Sequence, residues 1–470
     1  MKVCLVLEGC YPYVNGGVSS WVHNYILATK DTKYILCTIY PNKESKGKFV
    51  YDIPDNVIQI EEYFMDDFDI DNYESKNDYF PSKLFINETK NIICGNDVNW
   101  DIIFSEITNK KFDLCSFFKS REYIELVTEI SEKYLTEAGF SNTFFTLRSI
   151  LTPLFSLMMF DIPEADLYHS IVTGYGGVMA ACASFTHNKP YVLSEHGIYP
   201  REREEELLQA TWVMDSFRKI WIDFFYTLSK CSYKYAHVVT SLYGHAKSLQ
   251  IEIGCDKDKC MIIPNGIHYD KYSKIKPKKE NGFIDIGAII RFSAIKDIKT
   301  MLYAFHELKN KFPNVRLHIL GSTNDEEYKK ECLDLIDLLN LDDVLIRGQV
   351  NVLETLEEFD FTILTSISEG QPLVILESFA AARPVVCTDV GSCSEIIFGL
   401  NKNEEPAGFC CKSMDSFGIA NSMLKMCKDK DLIVKLGKNG QKRVKNYYGY
   451  QKMLDNYKKS YEEAIRKWQG

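Results

Sequence analysis

Short apolar runs alternate with amphipathic stretches along most of the chain. Lys2 to Leu7 is the first run, and past a turn at Tyr11-Pro12-Tyr13-Val14-Asn15-Gly16-Gly17 come Val18, Trp21, Val22, Tyr25 and Ile26. Their i, i+3, i+4, i+7, i+8 spacing is one face of a helix. Tyr34 to Tyr40 supplies the next strand, and the strand, loop, helix order recurs after Asp166–Ser170, Tyr191–Ser194 and Ala236–Ser241. Apolar runs this short, without polar alternation, fit strands covered on both faces, and helical crossovers join parallel neighbours. A mostly parallel sheet is expected.

Asp52 to about Phe160 reads as an insertion in this first series. Its Glu61 to Phe80 portion holds eight acids, one lysine and six aromatics and fits no clean period. An acidic surface elaboration is the plainer reading, and cover for an acceptor groove is the alternative. The polar, lysine-rich stretch His268 to Gly282 reads as a linker. A second series follows: Phe283–Ile290, Val315–Leu320, Val344–Ile346, Phe361–Thr365 and Pro384–Thr388 as strands, between helices such as Thr300–Lys309 and Pro372–Ala382. Helical patterns fill Asp415 to the end. The last, Tyr450–Trp468, is long enough to cross back over the first unit. The expected organisation is a Rossmann-like N-terminal domain at 1–275, a second Rossmann-like domain at 276–450, and a helix at 451–470 packed on the first. Open parallel sheets bind ligands at the carboxyl ends of their strands, so two such units facing each other place the expected site in an interdomain cleft.

Composition narrows the function. The 470 residues carry 55 Lys/Arg against 65 Asp/Glu, a net charge of −10, which argues against nucleic acid as a partner. Ser413 to Gly470 alone holds 13 Lys/Arg and 6 Asp/Glu. Solvated helix faces explain this best, with membrane docking as the alternative. The cysteine count is odd, 15, no pair has zinc-ligand spacing, and Cys4, Cys37, Cys182, Cys387, Cys410 and Cys411 sit among apolar neighbours. They read as reduced core residues. The opening segment meets Glu8 too early for a secretory apolar region, which predicts a cytoplasmic chain. Leu167 to Asn188 is uncharged and long enough to span a bilayer, but polar residues and glycines interrupt it, and it reads as strand, glycine turn and helix.

The richest segment is Thr365-Ser366-Ile367-Ser368-Glu369-Gly370-Gln371-Pro372-Leu373-Val374-Ile375-Leu376-Glu377. A strand ends near Thr365 and Pro372 fits the first turn of a helix, so the free amides of Gly370, Gln371, Leu373 and Val374 on either side of Pro372 form an anion site suited to phosphate. Glu369 and Glu377 would repel phosphate and are assigned to sugar hydroxyls. After the first strand, Gly16 and Gly17 allow close approach of backbone to a bound ligand. Gly174-Tyr175-Gly176-Gly177 reads instead as a close-packing turn. A nicotinamide oxidoreductase is disfavoured, because no G-x-G-x-x-G follows a strand and opens a helix.

The Glu, seven residues, Glu spacing with its Ser-Glu-Gly-Gln-Pro-Leu-Val flank resembles the signature of family 4 retaining glycosyltransferases of the GT-B fold. Arg291 and Lys296, within Ile290-Arg291-Phe292-Ser293-Ala294-Ile295-Lys296-Asp297, resemble the family's donor-diphosphate pair, and Pro264-Asn265-Gly266 resembles its interdomain turn. Leu7 to His23 and Ser194 to Arg203 are similar to PelF-like members, which serve Pel exopolysaccharide synthesis. The resemblance implies a UDP-sugar donor, UDP-glucose first, a saccharide or lipid-linked acceptor, retention, and charge from Arg291 and Lys296 in place of a metal. It gives catalytic parts to Arg291, Lys296, Glu369 and His196. Substrate contacts fall to Gly16, Gly17, Asn265, Gly370, Gln371, Pro372, Leu373 and Glu377. It further implies membrane-bound synthesis and export partners and peripheral attachment at the inner face of the membrane. Two positions depart from the family pattern: His268 stands where Asp is usual, and Asp297 where Gly is usual. A non-catalytic nucleotide-sugar scaffold and a GT-B sugar epimerase are the alternative functions.

Overall fold

The computed structural model describes residues 1–67, 79–323, 325–401 and 403–470. Much of the acidic Glu61–Phe80 portion, residues 68–78, therefore lies outside the described residues. Two compact units are present. One comprises Met1–Ser241, Ala246–Ile262 and Tyr457–Gly470; the other comprises Leu242–His245 and Ile263–Asn456.

The first unit holds strands β1 (Lys2–Glu8), β2 (Lys33–Tyr40), β3 (Val57–Phe64), β4 (Leu167–Ser170), β5 (Tyr191–Glu195), β6 (Val238–Ser241) and β7 (Cys260–Ile262). They form one sheet in the order β3-β2-β1-β4-β5-β6-β7, parallel throughout. Val3 to Leu7 are all buried, as helical cover on both faces requires. β3 corrects the start of the insertion: residues 57–64 are the sheet's edge strand, and the helices Lys83–Cys94, Trp100–Ile107, Leu114–Lys119, Arg121–Tyr134 and Phe140–Met158 follow it. Most of β3 is only partly covered, so its sequence lacks the apolar run that marks the inner strands.

The uncharged segment expected as strand, turn and helix is β4 followed by the helix Tyr175–His187. A Cβ on Gly177 would stand 2.3 Å from Ser232 Oγ, so the glycine turn serves close packing. No helix among the described residues is long and apolar enough to cross a membrane. All fifteen cysteines are free thiols. The final helix, Tyr450–Gln469, joins the first unit from Tyr457 onward. Tyr457, Tyr461 and Ala464 are buried there, and Tyr461 OH lies 2.8 Å from His169 Nδ1.

The second unit holds β8 (Ile284–Ile289), β9 (Val315–Leu320), β10 (Val344–Gly348), β11 (Phe361–Leu364), β12 (Val385–Thr388) and β13 (Gly408–Cys411), in the order β10-β9-β8-β11-β12-β13. All pairs are again parallel. The lysine-rich stretch read as a linker belongs to this unit and contains the short helix Tyr269–Tyr272. Just before it, Ile267 N donates to Tyr448 O and Tyr450 N to Ile267 O, each at 2.9 Å. In the basic C-terminal region, Lys435, Lys438, Lys442 and Lys445 are exposed. Arg443 is instead buried, holding the carbonyls of Ile396, Ile397 and Glu405 and the Glu404 carboxylate.

Candidate functional site

In each sheet the chain runs to one side and then restarts on the other, and the loops leaving the two central strands at that switch point form the natural ligand site. In the second unit these are the loops after β8 and β11. Beyond β8, Ile290 N donates to Leu320 O (2.8 Å) and Phe292 N to Ser322 O (3.0 Å), leaving Arg291 exposed between them. A tight turn, Ala294–Lys296, then leads into the helix Ile298–Lys311. Asp297 makes that junction in the left-handed conformation, φ +45°, and its carboxylate caps the helix by accepting from Thr300 N at 3.2 Å. The departure from glycine at this position is thus accommodated: Asp tolerates the left-handed region better than most residues and adds a cap.

The exit of β11 is tied to the same turn. Thr365 Oγ1 donates to Asp297 O at 3.0 Å, and Ile367 N to Ile295 O at 2.8 Å. This brings Lys296 Nζ to 2.5 Å from Glu369 Oε1, which also accepts from Ser366 Oγ at 2.6 Å. The two groups assigned to diphosphate and sugar therefore neutralise one another, with Glu369 Oε2 taking no hydrogen bond from a described residue. Their side chains are mostly covered, 21% and 12% exposed, so the pair is less screened than a surface one.

The helix expected from Pro372 begins at Leu373 and runs to Ala380, with Pro372 as its N-cap, its ψ of 110° being extended rather than helical. Gly370 O accepts from Ser392 N at 2.9 Å. Beside it Gly391 (φ +56°) passes so close that a Cβ would meet Glu369 O at 2.0 Å, a position only glycine can hold. Gln371 is buried and its Oε1 accepts from Asn265 N at 2.6 Å, so its side chain supports the Pro-Asn-Gly turn. Asn265 Oδ1 is buried without a partner among the described residues. Leu373 is exposed at the head of the helix. Glu377 is half-buried, Tyr272 OH donates to its Oε1 at 2.7 Å, and burial pushes its carboxyl above the usual range. Tyr272 and Ser366 were missed by sequence reasoning. The only signal for Tyr272 was its i, i+3 pairing with Tyr269 inside the polar stretch.

In the first unit the switch point lies between β1 and β4. Gly16 is the N-cap of the helix Gly17–Ala28. A Cβ on Gly16 or Gly17 would meet nothing within 4 Å, so packing within the chain does not call for glycine there. A cavity of about 280 Å³ opens beside the strand ends, lined by Glu8, Cys10, Thr173, Glu195, His196, Tyr199 and Glu202 among others. Among the described residues His196 Nε2 is buried without a partner, its ring lies edge-on to Trp21 at 4.8 Å, and burial pushes its pKa down to about 4. It is a neutral imidazole at physiological pH. Glu195, adjacent in sequence, is a structural hub: its carboxylate accepts from Thr173, Tyr233 and Gln250. Glu8 Oε2 accepts from Gly176 N at 2.8 Å, at the head of the helix Tyr175–His187.

Comparisons with known proteins agree with this architecture. Residues 1–258 match the family described as a domain of unknown function, DUF3492, and residues 270–443 match the glycosyl transferases group 1 family. The chain therefore belongs to the DUF3492 family and carries a group 1 glycosyl transferase domain. It is 27% identical over 204 residues to N-acetyl-alpha-D-glucosaminyl L-malate synthase of Bacillus anthracis, 42% of this chain and 51% of that protein. It is 26% identical over 214 residues to the capsular polysaccharide biosynthesis glycosyltransferase CapM of Staphylococcus aureus, 44% of this chain and 55% of that protein. The chain thus spans about half the length of these curated relatives. The crystal structure of HepE of Anabaena in complex with UDP superposes over 98% of this chain and 100% of its own, with a TM-score of 0.62 at 15% identity. The fold is α/β, of the GT-B class, built on two Rossmann-like parallel-sheet units.

Proposed function

We propose that the chain is a retaining glycosyltransferase that moves a hexosyl group from a UDP-sugar, UDP-glucose first, to a polysaccharide or lipid-linked acceptor. The observation that carries this reading is the Lys296–Glu369–Ser366 cluster at the switch point of the second sheet, next to the head of the helix Leu373–Ala380. A permanent cation, an acceptor oxygen and free helix amides are what a sugar diphosphate needs. HepE, whose crystals hold UDP and UDP-glucose, supports the donor class.

On this reading Arg291, Lys296 and the helix amides hold the diphosphate as the bond from the anomeric carbon to its oxygen breaks, and no metal is required. Gly370, Gln371, Pro372 and Leu373 shape the phosphate side, Asn265 offers its free Oδ1, and Gly16 and Gly17 let backbone approach the donor. Glu377 takes the ribose hydroxyls, Glu369 the donor sugar, and His196 Nε2 a sugar hydroxyl. The acceptor oxygen attacks from the face the diphosphate leaves, and its proton passes to a departing phosphate oxygen. Resemblance to PelF-like enzymes at the N-terminal loops supports an exopolysaccharide pathway of the Pel kind, cytoplasmic placement and membrane-bound export partners.

The test is UDP release from UDP-glucose, UDP-galactose, UDP-N-acetylglucosamine and UDP-N-acetylgalactosamine, with and without saccharide acceptors. One donor should turn over, and Glu377→Gln should raise its KM about tenfold. UDP binding with no turnover of any donor, even with membrane extract supplying acceptor, would leave a nucleotide-sugar scaffold instead.

A further inference from the structure

Tyr272 lies outside every motif in the sequence, in a stretch whose composition reads as linker, yet it makes a specific contact with a residue central to the proposed site. Its ring is anchored among Leu356, Phe359 and Ala381, and its hydroxyl donates to Glu377 Oε1 at 2.7 Å. Burial, together with the nearby Glu377 charge, pushes the phenol well above its ordinary value, so it is a donor at any working pH. A hydrogen bond to a partly buried carboxylate is among the stronger neutral-to-charged contacts, and the anchored ring leaves the hydroxyl little freedom. One carboxylate oxygen is thereby fixed, and Glu377 Oε2 takes no hydrogen bond from a described residue.

We infer that Tyr272 is a positioning residue: by holding Glu377 Oε1 it aims Oε2 at the ribose hydroxyls, and so sets the preference of the site for ribonucleotide over deoxyribonucleotide donors. This rests on the proposed nucleotide-sugar reading. A planar carboxylate with one oxygen tied has a single orientation left for the other. Without the phenol, the side chain regains rotamer freedom and the two vicinal hydroxyls lose a fixed acceptor.

The experiment is calorimetric titration of the full chain with UDP and with 2′,3′-dideoxy-UDP. Wild type should bind UDP more tightly by about tenfold or more, the worth of hydrogen bonds to a charged acceptor. Tyr272→Phe keeps the packed ring, so it should weaken UDP about fivefold to tenfold while leaving dideoxy-UDP unchanged, collapsing the ratio. Glu377→Gln should collapse it as well. In turnover, Tyr272→Phe should raise the donor KM more than it lowers kcat. A purely structural role would weaken both nucleotides equally, and a wild-type ratio in Tyr272→Phe would equally overturn the inference. Failure of wild type to bind UDP at all would overturn the nucleotide-sugar reading beneath it.

Discussion

The loops after β1 and β4, with the neighbouring exit of β5, and the loops after β8 and β11 leave two parallel sheets at or beside the switch in strand order, and differ electrostatically. In the first unit burial drives the ionisable groups toward neutrality: His196 falls to about 4, His169 to about 3, and Glu8 and Glu195 rise. In the second, Lys296 and Glu369 form an ion pair at 2.5 Å, and Arg291 stands in solvent. One topology thus yields a cavity in which burial works against charge and a loop pair that carries an ion pair and an exposed arginine. The difference shows that strand order sets where a site lies while the burial of each loop's side chains sets its charge.

The sharpest way to break this contrast is to remove charge on one side and a neutral donor on the other. On the proposed function, Lys296→Ala should lower kcat for sugar transfer about 10²- to 10³-fold, since it would withdraw a charge that matters most as a diphosphate departs. His196→Ala, which loses one hydrogen bond to a hydroxyl, should cost about tenfold. Steady-state kinetics on the preferred donor decides it. A larger loss at His196 than at Lys296 would mean that the charged loops do not organise the chemistry.

Acidification separates the units by stability. His169 is neutral when folded, with Nε2 2.8 Å from Ser194 Oγ and Nδ1 2.8 Å from Tyr461 OH, and becomes protonated when unfolded. Between its unfolded value near 6.5 and its folded value of about 3, the unfolded state binds more protons, so stability falls as pH falls. His196 acts in the same direction; Glu8 and Glu195, raised by burial, act in the opposite one, losing stability as pH rises through their folded values. In the second unit Asp285 is buried, which alone would raise it. Hydrogen bonds from His318, Arg316, Lys278 and Asn281 outweigh that and hold it far below the usual range, so its contribution persists until pH drops under about 4. Between pH 6.5 and 5 the contribution of His169 alone should fall by about 2 kcal/mol, read as the difference between wild type and His169→Gln in hydrogen exchange of the first unit. His169→Gln should flatten that slope. Equal losses in the two units would remove the electrostatic difference between them.

Much of this was legible before any coordinates, for particular reasons. Inner strands such as Lys2–Glu8 and Phe361–Leu364 are covered on both faces and so appear as unbroken apolar runs. Three of the four edge strands are not: β3 is half-exposed, β7 has three residues and β13 is partly covered, and none leaves a clear pattern, whereas the edge strand β10 keeps its Val344-Leu345-Ile346 run although it is largely exposed. Glu369 and Glu377 stand out by their spacing, and Arg291 and Lys296 by resemblance to a family pattern; of these four, Lys296 and Glu369 are brought together in the structure. Supporting groups did not, since the Tyr272 and Ser366 hydroxyls and the Gln371 amide act through tertiary contacts that carry no sequence period. The pairing of Lys296 with Glu369 was hidden for the same reason. It is created by the Thr365 and Ile367 bonds that fold one loop onto the other.

The smallest test compares how each unit starts the helix after its first strand. Gly16 caps the helix Gly17–Ala28 from extended backbone, φ −176°, and provides no side-chain cap. Asp297 caps the helix Ile298–Lys311 from the left-handed region and does provide one. Asp297→Ala loses the cap and places an alanine where its Cβ is disfavoured, which should cost about 1.5 kcal/mol. Asp297→Gly loses the same cap but removes the backbone strain, so the two effects should offset to within about 0.5 kcal/mol. In the first unit, Gly16→Ser supplies the missing hydroxyl acceptor without any conformational cost and should gain a few tenths of a kcal/mol, roughly the difference between Ser and Gly caps. Urea unfolding of the three variants measures all of these. The order Asp297→Ala, Asp297→Gly, Gly16→Ser from least to most stable would establish that the aspartate compensates for its own strained backbone. If instead Asp297→Gly proved as damaging as Asp297→Ala, the carboxylate would be stabilising the turn through more than the cap, and its buried Oδ2, which has no partner, would be the first atom to explain.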